Sequence, residues 1–339
     1  MGNYHKRILI ISNYKESAGG ISGQVKLLYN NLLNEGVDAI IFSTKFNILK
    51  RFFIFFKLLV IGRKFDVFHI HACSYWGFLP AIYGITVGKI LKKKIILTYH
   101  GGEAEFFLKN HKRFVRWWLL KTDTNIVLSG FLGKVFNDYN IPYTIIPNIL
   151  EQDNIKPILN NSISPKFISV RTLQPLYNVM CIVKAFEIVQ MIYKNASLTI
   201  LADGPCREGL EKYVADHNLN NIIFTGFISN ERVLHEMQKA DILLSAPKID
   251  NQPMSILEAF KNGLVVISSN VGGVPYMIKD GYNGLLFESD NYKELADKMI
   301  WILTNQKKAK ELISNGILRL RYYSWDNIKE DLFKLYSSN

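Results

Sequence analysis

At 339 residues, 48% of them hydrophobic and 21% charged, the chain is too long for one ordinary domain and too apolar to be disordered. Three cysteines, Cys73, Cys181 and Cys206, stand far apart with no CxxC pair, which argues for reduced thiols in a cytoplasmic protein and against a disulfide framework or a zinc site. The net charge of +12 is one-sided, with 20 Lys and Arg against 8 Asp and Glu in residues 1–150 and 21 of each sign in the remainder, so the N-terminal half is expected to face an anionic surface or ligand.

The first residues, MGNYHKRILIISNY, contain no apolar run of signal-peptide length, and Lys6 stands where myristoylation needs Ser or Thr. RILIIS (7–12) reads as a buried strand. It leads into a glycine-bearing loop, SAGGISG (17–23), and then an amphipathic helix over 24–36 that closes on Gly36. Strands follow at 39–43, 66–72, 94–100, 125–129 and 143–148. Short β-branched runs joined by helical crossovers predict a parallel sheet covered on both faces.

The pattern then restarts. KFISV, SLTILADG, NIIFTGF, DILLSAP and GLVVISS read as strands of a second parallel sheet, with helices over 179–193, 207–218, 230–240 and 255–263. The fold class is therefore α/β, two Rossmann-like domains whose parallel sheets face each other across a cleft. The expected division is 1–152, a polar Pro-bearing linker 153–165, 166–320, and a C-terminal helix 321–339 that returns to the N-terminal domain. Every glycine loop and unusual polar residue falls just after a strand, where ligands of open α/β sheets bind.

Residues 46–62, FNILKRFFIFFKLLVIG, are too short and too interrupted by Lys50, Arg51 and Lys57 to span a bilayer. On a helix, Lys50, Lys57 and Lys64 share a stripe with Phe52, Phe55, Phe56 and Leu59 opposite. That suits either a helix lying on an anionic membrane or a crossover helix with a solvated basic face. LKKK (91–94) and KRFVRWWLLK (112–121) add Lys, Arg and Trp to the same domain. No nucleic-acid-binding motif accompanies the charge.

The richest stretch is Ser245–Leu285. Within it Asp250 and Glu258 lie eight positions apart across a turn into a helix, so both carboxylates can face one crevice and hold a sugar and a ribose by their hydroxyls. Gly19, Gly20 and Gly23, ahead of a helix, can bring backbone N–H groups to phosphates, as can the amides of Met254, Ser255 and Ile256 at the next helix start. Arg171 follows a strand and can fork onto phosphate oxygens. His69 and His71 alternate on one strand face. With no third ligand apparent they read as packed strand histidines, not a metal site.

The order of these motifs resembles the family 4 glycosyltransferases of GT-B architecture. The resemblance runs through Gly19-Gly20, DVFHIHA (66–72), TYHGG (98–102), IPN (146–148), ADGP (202–205), FTGF (224–227), the Asp250–Glu258 stretch and GGVPYMIKDGYNGLLF. It implies sugar transfer from a nucleotide donor with retained anomeric configuration, needing no metal and no other cofactor. A UDP-sugar is the favoured donor because such donors are common in the family. The resemblance implies that Glu258 accepts hydrogen bonds from the ribose, that Asp250 acts near the transferred sugar where the family more often has Glu, and that His100 contacts donor sugar or acceptor. Gly204, Gly226 and Phe227 border the base, and Glu103 and Glu105 are acceptor-side candidates. One departure stands out: in RTLQPLYN the place of the family's lysine is taken by Tyr177 or Asn178, so the leaving phosphates rely on Arg171, a neutral Tyr177 donor, or a cation from elsewhere.

The expected protein is thus a retaining glycosyltransferase on the cytoplasmic face of an anionic membrane, moving sugar to a glycan or lipid-linked acceptor in surface polysaccharide synthesis. Its membrane contacts would be Lys50, Arg51, Lys57 and Lys64. A GT-B nucleotide-sugar epimerase and a degenerate binding or partner subunit are the rival expectations.

Overall fold

A computed structural model describes residues 6–16, 20–45, 51–150, 157 and 162–338. The chain divides into two compact units, Met1–Gln152 with Tyr322–Asn339, and Asp153–Arg321. Among the described residues each unit carries one six-stranded parallel sheet.

In the first unit the strands are β1 (Ile8–Ser12), β2 (Ala39–Ser43), β3 (Val67–Ala72), β4 (Lys94–Tyr99), β5 (Thr124–Val127) and β6 (Thr144–Ile145). Their order is β2-β1-β3-β4-β5-β6. β1 and β3 are buried along their whole length, which explains their near-continuous apolar sequence. β6 shrinks to two residues because Pro142 and Pro147 bracket it, and proline has no N–H for the ladder.

One sheet face packs α2 (Arg51–Gly62), α3 (Leu79–Ile90), α4 (Ala104–Leu119) and α5 (Gly130–Asp138). The other face packs α1 (Ile21–Asn34) and the C-terminal α13 (Trp325–Ser337), with Val25, Leu28, Ile328 and Leu332 over Ile10, Val67 and Ile96. Trp325 and Lys329 of α13 both bond the Glu35 carboxylate at the end of α1. α1 begins at Ile21 with Gly20 as its N-cap residue, so Gly23, expected in the loop, is already helical.

The second unit has β7 (Lys166–Val170), β8 (Ser197–Leu201), β9 (Ile222–Phe224), β10 (Ile242–Ser245), β11 (Val265–Ser269) and β12 (Leu285–Phe287), in the order β12-β11-β10-β7-β8-β9. This is the doubly wound dinucleotide-fold order, and its chain direction reverses between β7 and β10. α6 (Val179–Ile192), α7 (Arg207–Asp216), α11 (Tyr292–Thr304) and α12 (Gln306–Arg319) contribute to one core with β7, β8 and β10. α9 (Met254–Lys261) follows β10.

Gly19, Lys50 and the Arg51 side chain lie outside the described residues, as does most of the expected linker. On α2 the arrangement differs from the expected stripe. Ile54 and Leu58 are buried, while Phe53 (69% exposed), Phe56, Lys57 and Val60 share the outer face and Arg63 and Lys64 continue it. Phe56 is therefore beside Lys57, not opposite, because the helix turns its Ile54–Leu58 edge to the sheet. Among the described residues no helix is long and apolar enough to cross a membrane.

Candidate active site

The loops after β7 and β10 meet at the switch point of the second sheet, where an open α/β sheet leaves a crevice at its strand ends. β7 delivers Arg171 and β10 delivers Asp250. The two side chains form an ion pair, each about one-sixth exposed. The Arg171 guanidinium also lies over the Tyr177 ring, 4.3 Å from its centroid. Burial pulls the Arg171 guanidinium below its ordinary value, and Tyr177 and Glu258 act in the opposite sense, favouring its charge. Arg171 and Tyr177 thus share one electrostatic site with the Asp250–Glu258 carboxylate pair.

The two residues that could replace the family lysine have different fates. Tyr177 turns its ring to Arg171. Asn178 takes a left-handed conformation (φ 48°) and donates its side-chain amide to Asp290 at 2.7 Å. Asp290 is also paired with Lys248 at 3.3 Å, and the Lys248 backbone N–H donates to the Leu176 carbonyl at 2.8 Å. The Arg171 loop is therefore strapped to the Asp250 loop by backbone and by an Asn178–Asp290–Lys248 bridge.

α9 starts at Met254 with Pro253 before it and, among the described residues, has no side-chain cap. Its first-turn amides (Met254, Ser255, Ile256) carry the positive end of the helix dipole, and the Ile256 N–H also donates to the Pro253 carbonyl at 3.2 Å. Met254 and Glu258, one turn apart, are half-buried on the same side, while Ser255, Ile256 and Leu257 are buried. At the end of β8, Gly204 abuts the Leu173 backbone, where a Cβ would approach the Leu173 carbonyl oxygen to 2.6 Å. Asp203 caps this turn through the Gly204 N–H and Arg207. Gly226 bonds Ala202 across it, and Phe227 is exposed beside it.

In the first unit Gly20 caps α1, and His100 follows β4, half-buried, with its Nε2 2.9 Å from His71 Nδ1. Burial lowers His100 to about 4. Glu103 and Glu105 are exposed at the start of α4. Among the described residues no cluster of three or more His, Cys, Asp or Glu could hold a metal ion.

Residues 151–319 match the family model of Glycosyl transferases group 1, and residues 28–153 match that of Glycosyltransferase Family 4. The chain belongs to the family 4 glycosyltransferases. An uncharacterized glycosyltransferase of Methanocaldococcus jannaschii is 26% identical over 83% of this chain and 77% of its own. An alpha-monoglucosyldiacylglycerol synthase of Acholeplasma laidlawii is 24% identical over 80% of this chain and 75% of its own. The structure of Anabaena HepE in complex with UDP and glucose has the same fold, with a TM-score of 0.79 at 15% identity, over 99% of this chain and 100% of that one.

Sequence reasoning missed three supports of this candidate site: Gly272, Lys248 and Asp290. Gly272 has φ +53°, and a Cβ there would fall 2.1 Å from the Asp250 carbonyl oxygen, which also accepts the Gly273 N–H at 2.8 Å. The GGVP signal could have pointed to it, since paired glycines before a helix mark a close backbone approach. Gly272→Ala is expected to displace the Asp250 loop and cut kcat/KM by about 10²-fold, the usual cost of a 1 Å misplacement. Steady-state kinetics check this, and an alanine variant with unchanged kcat/KM would show that the clamp is irrelevant to the site.

Proposed function

We propose that this enzyme is a retaining glycosyltransferase that takes a UDP-sugar and passes the sugar to a glycan or lipid-linked acceptor in surface polysaccharide synthesis, at an anionic membrane surface. The observation that carries the reading is the Arg171–Tyr177–Asp250–Glu258 cluster at the switch point of the second unit. As the glycosidic bond breaks, negative charge grows on the leaving diphosphate, and fixed donors stabilise it. Arg171 exchanges the Asp250 carboxylate for phosphate oxygens, and the α9 amides add further donors. Tyr177 covers the guanidinium face, keeping the cation flat and oriented. Asp250, released, meets hydroxyls of the transferred sugar, and Glu258 meets those of the ribose. Gly204, Gly226 and Phe227 border the base. His100 touches donor sugar or acceptor, and Glu103 and Glu105 lie on the acceptor side. The acceptor hydroxyl attacks from the face the diphosphate leaves, with no metal in the step.

The UDP assignment is supported by the HepE complex of like fold, and the lipid acceptor by the diacylglycerol-glycosylating relative. A thermal-shift panel of nucleotides and nucleotide sugars tests the donor. UDP-sugars at 100-fold their Kd should add about 2.7 kcal/mol of apparent stability. A shift with another nucleotide alone, or with none, would defeat the UDP reading.

The membrane contact draws on the helical layer of the first unit. Phe53, Phe56, Lys57 and Val60 face outward on α2, and Phe106, Lys112, Phe114 and Trp117 on α4. Lys121 sits 3.7 Å over the Trp117 ring. Aromatic and cationic side chains on one exposed layer suit the headgroup region of an anionic bilayer. Replacing Lys57 and Lys64 with serine should weaken flotation with phosphatidylglycerol vesicles ~30-fold, about 1 kcal/mol per charge. Flotation insensitive to these changes and to salt would count against this face.

A further inference from the structure

The strand alternation of β3 puts His69 and His71 on one sheet face, and the pairing of His71 with Thr98 brings His100, two residues on, to the same face. The three imidazoles form a stack. His69 and His71 have ring centroids 4.5 Å apart, and His71 and His100 5.1 Å apart. His69 is fully bonded, through Nδ1 to the Tyr336 hydroxyl at 2.7 Å and through Nε2 to the Thr98 hydroxyl at 2.8 Å. His71 is bonded on one side only. Its Nδ1 meets His100 Nε2 at 2.9 Å, while its buried Nε2 has no hydrogen-bond partner among the described residues.

Burial holds all three rings in their neutral form, with His69 lowered to about 3, His100 to about 4 and His71 well below its ordinary value. A neutral imidazole carries one proton, so the contact between His71 and His100 allows two arrangements. If His100 donated from Nε2, the His71 proton would lie on its own Nε2, a buried N–H with no acceptor. The cavity of about 30 Å³ that His71 lines is bordered by Gln24, Thr98 and Asn148 as well as by Leu28, Ile126, Leu128, Ile328 and Leu332, and no described residue bonds that nitrogen. A buried N–H without an acceptor is rarer and costlier than an unused lone pair. The favoured arrangement therefore puts the His71 proton on Nδ1, donated to His100 Nε2. His100 must then carry its own proton on Nδ1, a nitrogen that bonds no other described residue.

We propose that His71 is a positioning residue that fixes His100 as the Nδ1–H tautomer, so that His100 meets the ligand as a neutral hydrogen-bond donor and not as a base. The partner for such a donor is an oxygen with a lone pair, a hydroxyl of the transferred sugar or of the acceptor. The inference rests on the reading above that His100 touches donor sugar or acceptor.

The test uses the full-length chain labelled with ¹⁵N-histidine, with the His100 signals assigned by their loss in His100→Gln. Long-range ¹H–¹⁵N spectra should show Nδ1 protonated and Nε2 bare. His71→Leu should let both tautomers appear and lower kcat at least about tenfold, with UDP affinity unchanged, since the nucleotide site belongs to the second unit. His71→Asn, whose side-chain amide can take the place of Nδ1–H, should retain the tautomer and stay within about threefold of wild-type kcat. Should His71→Leu fail to fold, the wild-type spectrum and the asparagine variant decide alone. Protonation of His100 on Nε2 in the wild type overturns the proposal by itself, as does a leucine variant with wild-type turnover. Unimpaired turnover in His100→Gln overturns the underlying role of His100 and the proposal with it.

Discussion

Arg171→Ala is expected to lower kcat/KM by about 10³-fold, ~4 kcal/mol of transition-state stabilisation. The guanidinium is mostly buried, lies over Tyr177 and is paired with Asp250, so its charge is held in a low-dielectric place where it acts strongly on a leaving phosphate. No lysine follows it in the 3₁₀ turn Pro175–Tyr177, so in the proposed mechanism the leaving phosphates rely chiefly on Arg171. Arg171→Lys should recover only part of the loss, because an ammonium neither forks onto two oxygens nor stacks flat on an aromatic face. The alanine variant should also unfold more easily. It leaves the Asp250 carboxylate largely buried with, among the described residues, the Asn251 N–H at 2.8 Å as its remaining donor, a cost of about 1–3 kcal/mol. The double variant Arg171→Ala, Asp250→Ala should regain part of that stability while remaining inactive. Wild-type kinetics in Arg171→Ala would contradict the site as described.

Acid should unfold the first unit well before ordinary carboxylate chemistry would. His69 and His100 are lowered from 6.5 to about 3 and about 4, and His71 lies well below 6.5, all chiefly through burial. The unfolded chain therefore takes up these protons first. The stability is complete above pH 6.5 and is lost as pH falls toward the folded-state values. At pH 5 each histidine costs about 2 kcal/mol, on the scale of 1.36 kcal/mol per pH unit below its unfolded value. Three such groups approach the whole stability of a typical domain. The urea midpoint of the full chain should drop steeply between pH 7 and pH 5, and His69→Gln should remove about one third of the drop. An equal pH slope in wild type and variant would contradict the account.

What could be read from the sequence was local. Continuous β-branched runs gave the buried parallel strands, and helical spacing put Asp250 and Glu258 on one side of a turn and helix. The group 1 and family 4 motifs carried the family itself. What could not be read depends on contacts distant along the chain. The order β12-β11-β10-β7-β8-β9, which makes the β7 and β10 loops neighbours, follows from which sheet edge each crossover takes. No pattern within Arg171–Asn178 told whether Tyr177 or Asn178 would face Arg171. The left-handed turn at Asn178 decides it, by sending the amide to Asp290, 112 residues away. Tyr336 reaches His69 across 267 residues, so the packed state of that histidine was visible only as an absence of metal partners. The outward face of α2 was misjudged because a helix apolar nearly all round gives its charged stripe no unique opposite, and the sheet chose Ile54 and Leu58.

Transfer itself can be followed directly. The full-length enzyme is incubated with a UDP-sugar labelled in the sugar and a lipid extract of the source membranes, and the product's anomeric configuration is determined by NMR. Label is expected in the lipid phase, with release of UDP and the donor's anomeric configuration in the product, and all three should be lost in Arg171→Ala. Inverted configuration would contradict the retaining mechanism, and label that stays in donor or free sugar with every acceptor pool would contradict the transferase reading.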